Sequence, residues 1–207
     1  MRIAVFAVAL AACGGSSPEN RYYQLANPAH AAPHSGEAII AIQPLAADGA
    51  YDDERIVYRV NPYRLDYYNY HRWSAPPGTL IGNYLEQAFA KSGRFRRVVR
   101  DATDATPVVL GGRIVALEEV DASTTQWQGR IVIELTLTDT KTDQVLWSEQ
   151  FEEIEPLPAR NPEGMARAIS VAMNRIVQRA VPVVAELAEK QTQIHEANAS
   201  QRAMKIR

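Results

Sequence analysis

Apolar residues recur along this chain in two rhythms, every second position in several short runs and every third or fourth in two longer ones, which separates strands from helices. Glu37–Leu45 reads as a strand ended by Pro44 and the Ala46–Gly49 turn. Arg55–Val60 and Leu65–Tyr70 read as two more, with Asn61-Pro62 supplying turn chemistry for a hairpin whose join is longer than two residues. Leu80, Ile81, Tyr84, Leu85, Ala88 and Phe89 build one apolar stripe, predicting a helix opened by Pro76-Pro77-Gly78 and stopped at Ser92-Gly93. A short strand is expected over 95–100. Pro107–Glu119 and Gly129–Thr138 are the longest strand candidates, and in the second Ile131, Ile133, Leu135 and Leu137 form one greasy face. Gly111-Gly112 interrupts the first of these and suggests a bulge or a close backbone approach. Beyond the polar Asp139–Asp143 turn, Gln144–Phe151 returns as the partner strand. Asn161-Pro162-Glu163 has the chemistry of a helix start, and Met165, Ala168, Ile169, Ala172, Met173, Ile176, Val177 and Ala180 continue as a stripe. Pro182 is expected to kink or break this helix, and 191–207 to be a polar, frayed tail. Strands, a helix, more strands and a long helix predict an α+β fold, a mostly antiparallel sheet with two main helices packed on one face.

The N-terminus changes the picture. Arg2 precedes an apolar run from Ile3, and small residues stand directly before Cys13, the order of a secretory signal. The run is about 10 residues, half of what a spanning helix needs, so 1–12 reads as a removed signal. Cys13 is the one cysteine of 207 residues, which excludes an intramolecular disulfide and a cysteine metal cluster. Leu10-Ala11-Ala12-Cys13 resembles the bacterial lipobox, in which the thiol is lipidated and cleavage falls before it; each buried lipid CH₂ contributes about 0.8 kcal/mol of membrane affinity. Gly14 follows where an Asp would resemble an inner-membrane retention signal, so the periplasmic face of the outer membrane is the expected destination. Residues 13–36 hold Gly14-Gly15-Ser16-Ser17-Pro18, Pro28, Pro33 and Gly36, and read as a lipidated flexible tether. Within it Tyr22-Tyr23-Gln24-Leu25 has the β propensity of a short edge strand. That leaves 37–190 as a single domain. Apolar residues at 46% and charged ones at 22% are ordinary for a globular chain, and a formal net charge of −2 gives no reason to expect nucleic acid.

Taken in order, these features resemble the ABC-type transport auxiliary lipoproteins. The likeness runs from the Cys13 lipobox and Tyr22–Leu25 through the Ile39–Leu45 strand to the tyrosine-rich hairpin and Trp73-Ser74-Ala75-Pro76-Pro77. It continues with Ser92-Gly93 and Phe95, Leu110-Gly111-Gly112-Arg113-Ile114, Ile131–Asp139, Val145-Leu146-Trp147-Ser148 and the terminal helix, over about residues 10–185. The resemblance implies a non-enzymatic outer-membrane subunit of an ABC-type lipid transport system, with a periplasmic MCE-type protein as partner and no cofactor. It carries over no catalytic residue. A lipoprotein serving another outer-membrane assembly machine is the alternative, and a lipid-anchored hydrolase a third class. Association with further copies of the chain is open.

The candidate partner surface is the aromatic cluster Tyr58, Tyr63, Tyr67, Tyr68, Tyr70 and Trp73. Tyr67 and Tyr68 are consecutive and point to opposite faces of a strand, and such residues are enriched where a surface meets a partner or a membrane interface. Alternate rings covering a small core would give the same pattern. For catalysis, His30, His34, His71 and His195 are scattered. Pro33 disfavours the helix that a His30/His34 metal pair would need, and Asp52-Asp53-Glu54 lacks calcium-loop spacing. No nucleophile elbow, phosphate-binding glycine loop or His-Glu-x-x-His occurs. Arg94, Arg96, Arg97 and Arg100 form a basic patch that suits lipid head groups, an acidic partner or simply a charged strand edge.

Overall fold

The computed structural model describes residues 18–26, 31–123 and 125–205. Cys13 and the expected signal segment lie outside them. Among the described residues nine strands and two helices follow in the order β1 (Arg21–Tyr23), β2 (Ile39–Ile42), β3 (Ala46–Ala47), β4 (Arg55–Asn61), β5 (Arg64–Trp73), α1 (Pro77–Lys91), β6 (Arg97–Val99), β7 (Val108–Asp121), β8 (Trp127–Asp139), β9 (Val145–Pro156) and α2 (Pro162–Lys205), with one 3-10 turn at Gly49–Tyr51.

β7 is the spine of the sheet. Along one edge it carries β8, paired antiparallel from Val108↔Asp139 to Asp121↔Trp127, and β9 continues outward. Its other edge is shared by three short parallel strands met in turn, β2, β3 and β4. β6 extends beyond β2, and β5 then β1 extend beyond β4. The expected mostly antiparallel sheet is therefore a mixed one. The long ladders are antiparallel, but β1–β5, β2–β6 and the three strands on the spine's second edge pair in parallel over two or three residues each. Alternation marks a strand's faces and says nothing about which neighbour lies along its edge. Chain-adjacent strands gave the antiparallel expectation, whereas the parallel pairs join segments far apart in sequence.

Both helices pack on one face of the sheet, and a single core joins them to it. Ile40, Ile42, Leu110, Ile114, Ile131, Ile133 and Leu137 of the strands meet Ile81, Leu85 and Phe89 of α1 and Met165, Ile169, Met173 and Ile176 of α2. Each such side chain contributes roughly 1.5–3 kcal/mol on burial. Where α2 crosses β8 the fit is close: a Cβ on Gly129 would lie 3.0 Å from the Ala168 Cβ. At Gly112 (φ +151°) a Cβ would fall 1.9 Å from the Glu134 carbonyl oxygen, which is the expected close backbone approach, while the register shift of the ladder comes later, between Ile114 and Ala116.

Three further expectations differ from the structure. The β4–β5 join is a two-residue turn, Pro62-Tyr63, because pairing extends to Asn61↔Arg64. α2 runs unbroken through Pro182 to Lys205, so 191–205 is helix and not a frayed tail. Pro182 is exposed, on the side where helices are convex and their hydrogen bonds longest, so the missing N–H is least costly there, and Val181, Val184 and Ala185 hold the buried face. The described part of the expected tether is docked. β1 pairs with β5, the Ala26 N–H donates to Ser170 Oγ (3.0 Å), and Ala32 and Ser35 donate to the Lys91 and Gly93 carbonyls (2.8 and 2.7 Å). These contacts are made by backbone, so hydrophobic spacing does not announce them.

Candidate partner-binding surface

The β4–β5 hairpin splits the six aromatic candidates into three environments. Trp73 is 1% exposed and belongs to the core, its backbone N–H bonded to the Glu54 carbonyl (2.6 Å). It is removed from the candidate surface because the end of β5, paired with β1 at Tyr23↔Trp73, carries its side chain into the core. Tyr58, Tyr67 and Tyr68 are half-buried and tied down. The Tyr67 hydroxyl donates to the Ala50 carbonyl (3.0 Å), with the Arg55 guanidinium 4.4 Å from its ring centroid. Tyr58 packs on Tyr68 at 5.0 Å, and Tyr68 meets His71 edge-on at 5.6 Å. Only Tyr63, 97% exposed in the turn, and Tyr70, 44% exposed, present their rings freely to solvent.

Beneath the hairpin lie two consecutive buried acids of β7, which point to opposite faces because they are neighbours in a strand. Glu118 accepts from the Tyr51 hydroxyl (2.6 Å), Arg59 Nε (2.9 Å) and Arg130 Nη1 (2.9 Å). Burial alone would raise its pKa, yet the hydrogen bonds from Arg59, Tyr51 and Arg130 outweigh it and hold the carboxyl below its ordinary range. Burial, reinforced by the Glu118 charge, pushes the Tyr51 phenol up to about 12. Glu119 accepts a long hydrogen bond from the Tyr68 hydroxyl, 3.2 Å from both carboxylate oxygens, which burial outweighs, so its pKa is raised. The Tyr68 phenol is raised in turn, first by burial and then by the Glu119 charge. Asp121 Oδ1 is buried without a hydrogen-bond partner, and Arg160, 3.7 Å from Asp121 Oδ2, lies over the Trp127 ring at 4.1 Å.

The short edge strand expected at Tyr22–Leu25 is present as β1, but its position beside the aromatic hairpin was not anticipated. Tyr23 OH and His71 Nδ1 are 2.8 Å apart, and Tyr22, 61% exposed, stands on the β1 edge next to β5. The visible signal was the Tyr22-Tyr23 pair itself; its place beside β5 rests on a parallel pairing between distant segments.

The scattered histidines stay scattered. His34 Nδ1 lies 3.1 Å from the Phe95 carbonyl, and His195 Nε2 lies 2.8 Å from Asp139 Oδ2, while His30 is outside the described residues. Among the described residues no group of three or more His, Cys, Asp or Glu is placed to hold a metal ion. Of the basic patch, Arg100 is bonded to Glu86 (2.8 Å) and Asn83 (2.9 Å), and Arg94, Arg96 and Arg97 are exposed around β6. The acidic 52–54 turn is partly neutralised by Arg55, which is bonded to Asp53. Around Glu118 and Glu119 the polar side chains thus satisfy one another, which suits a rigid binding scaffold.

The family model for the ABC-type transport auxiliary lipoprotein component matches residues 23–181, most of the chain and every element from β2 to β9. The chain belongs to that family. As an auxiliary lipoprotein it shares its fold with protein XCC0632 from Xanthomonas campestris, at a TM-score of 0.73 and 18% identity, covering 84% of this chain and 99% of that one. A second solved structure, described only as an uncharacterized protein, matches at a TM-score of 0.62 and 13% identity over 82% of this chain and 99% of that one. At these identities the likeness concerns the fold. No curated protein matches the chain. Among the described residues no helix of this auxiliary lipoprotein is long and apolar enough to cross a membrane.

Proposed function

We infer that this auxiliary lipoprotein is held at the periplasmic face of the outer membrane by acyl chains on Cys13 and serves, without catalysis, as a subunit of an ABC-type lipid transport system. Its partner is a periplasmic MCE-type protein. The match of residues 23–181 to the auxiliary lipoprotein family carries the reading. The cleavage-site pattern before Cys13 supports the anchor. The mutual satisfaction of Glu118, Glu119, Tyr51, Tyr68, Arg59 and Arg130 supports a binding role, since these groups are spent on one another.

Of the exposed aromatic rings, we assign Tyr22 and Tyr70, on the adjacent β1 and β5 strands, to the protein partner. The experiment is co-purification from membranes after mild detergent extraction. An MCE-type protein is expected to come with the wild-type chain. The paired substitutions Tyr22→Ala and Tyr70→Ala are expected to cut its recovery at least several-fold with the melting temperature nearly unchanged. Recovery of an outer-membrane barrel protein in its place would overturn the reading in favour of an assembly factor.

A further inference from the structure

The two ends of the sheet differ in how they can meet a membrane. β4 and β7 run parallel, Arg59 beside Val120, so the β4–β5 turn and the β7–β8 turn lie at one end of the molecule. Tyr63 projects there, 97% exposed, with Val60 at 39% and the Arg64 side chain at 63%. Trp127 and Arg160, stacked at 4.1 Å, sit at the same end where Asp121↔Trp127 closes the β7–β8 ladder. Tyrosine and tryptophan with arginine is the mixture favoured at the boundary between head groups and acyl chains.

The chain that would carry the anchor points toward this end. β5 leads away from the hairpin turn, and β1 is parallel to β5, so the segment preceding Arg21 heads back toward the turn. Arg21 pairs with His71, next to Arg72, which lies level with Arg55, six residues before the hairpin end at Asn61 and so about 20 Å from it. Eight residue steps separate Arg21 from Cys13, at most about 29 Å of extended chain. α2 leads the other way. Its first turn sets Met165 against Gly129, and it then passes Asp139 at the far end of β8 through His195 and ends at Lys205, about 60 Å beyond Met165 at 1.5 Å per residue. Cys13 can reach the level of the hairpin turn, and the far end of α2 is out of its range.

We propose that the hairpin end, with Tyr63 foremost, rests on the lipid bilayer that takes the acyl chains of Cys13, so that α2 stands away from the membrane and presents its C-terminal end to the periplasm. The proposal rests on the lipid-anchored reading above and adds a fixed orientation to it. A docked β1 is what narrows it: with Arg21 paired to His71 the chain between anchor and domain is eight residue steps, against the 24 residues of a wholly free 13–36 tether.

The test uses the full-length lipidated chain on vesicles of phosphatidylethanolamine and phosphatidylglycerol carrying brominated acyl chains. An environment-sensitive fluorophore is placed by Tyr63→Cys or by Gln201→Cys, both exposed positions. Quenching is expected to be at least fivefold stronger at 63 than at 201. Equal quenching, or the reverse, overturns the orientation. Shielding of the 63 probe only after a partner protein is added also overturns it, assigning the tip to a protein interface. Flotation of the wild-type chain against Cys13→Ser separates the two layers. Loss of flotation in the variant upholds the anchor whatever the probes report, and unchanged flotation removes the anchor and the orientation together.

Discussion

Asp139 has a different place in this molecule from that of Glu118 or Glu119, because it links the β8–β9 turn to the end of the long helix. One carboxylate oxygen accepts from the Lys141 and Thr142 amides (2.7 and 2.8 Å), and the other meets His195 and Gln191 of α2. Burial would raise its pKa, but the hydrogen bonds from His195, Lys141 and Thr142 outweigh burial and bring it down to about 2, from an ordinary 3.8. A carboxyl with a depressed folded-state pKa stabilises the fold above its unfolded value and loses that contribution as pH falls through the folded one. Stability should therefore decline between about pH 4 and pH 2, and Asp139→Asn should flatten that part of the curve, as urea unfolding across the range would record. Gly112 gives a second prediction at this scale. With φ at +151° and no room for a Cβ beside the Glu134 carbonyl, Gly112→Ala should destabilise by about 3 kcal/mol, since both strain and clash act. A thermal melt unchanged from wild type would show that the ladder absorbs the extra atom.

The elements divide into those whose own sequence specifies them and those that depend on their surroundings. α1 lies over the expected residues because its stripe, its proline start and its Ser92-Gly93 stop all agree. β7 and β8 were likewise legible, being long and alternating. β9 extends five residues past the expected Phe151, where Glu152, Glu153 and Glu155 obscure the alternation. Arg175 bonds Glu153 and Glu155 (2.6 and 2.7 Å) and Arg179 bonds Glu153 (2.7 Å), so α2 supplies the partners that make an acidic strand tolerable. The last turns of α2 are the clearest case of dependence. Buried positions end at Ala188, and beyond it the described contacts of 191–205 to the sheet are polar, through Gln191 and His195. Ending the chain after Lys190 should leave the fold intact and cost about 1–2 kcal/mol, a shift of a few degrees in melting temperature for a domain of this size. Ending it after Val181 strips Val184, Ala185 and Ala188 from the core and should give an insoluble or unfolded product. Calorimetry of the two truncations checks both outcomes.

For the molecule as a whole, the sheet's asymmetry decides what faces what. The helices cover one face. The other carries cross-strand polar pairs such as Arg113 with Glu134 and Arg130 with Glu152, with the Tyr51 turn roofing Glu118. The aromatic hairpin turn stands at one end of the sheet, and the last turns of the long helix lie toward the other. Of the candidate surface, the presence of an aromatic hairpin was legible from Tyr58 to Trp73, but its division into core, tied-down and free rings was not, because Tyr67 and Tyr70 look alike until a neighbour covers one of them. By itself the sequence determined the family, the position of α1 and the longest strands of the sheet, since these depend on local spacing and on short motifs that the chain carries wherever it folds. Tertiary structure alone decided the parallel pairings around β7, the passage of α2 through Pro182, the choice of β5 as partner of the N-terminal strand and the exposure of Tyr22, Tyr63 and Tyr70. All four depend on backbone edges and burial created by residues distant in the chain, and no local pattern encodes a neighbour that arrives from elsewhere.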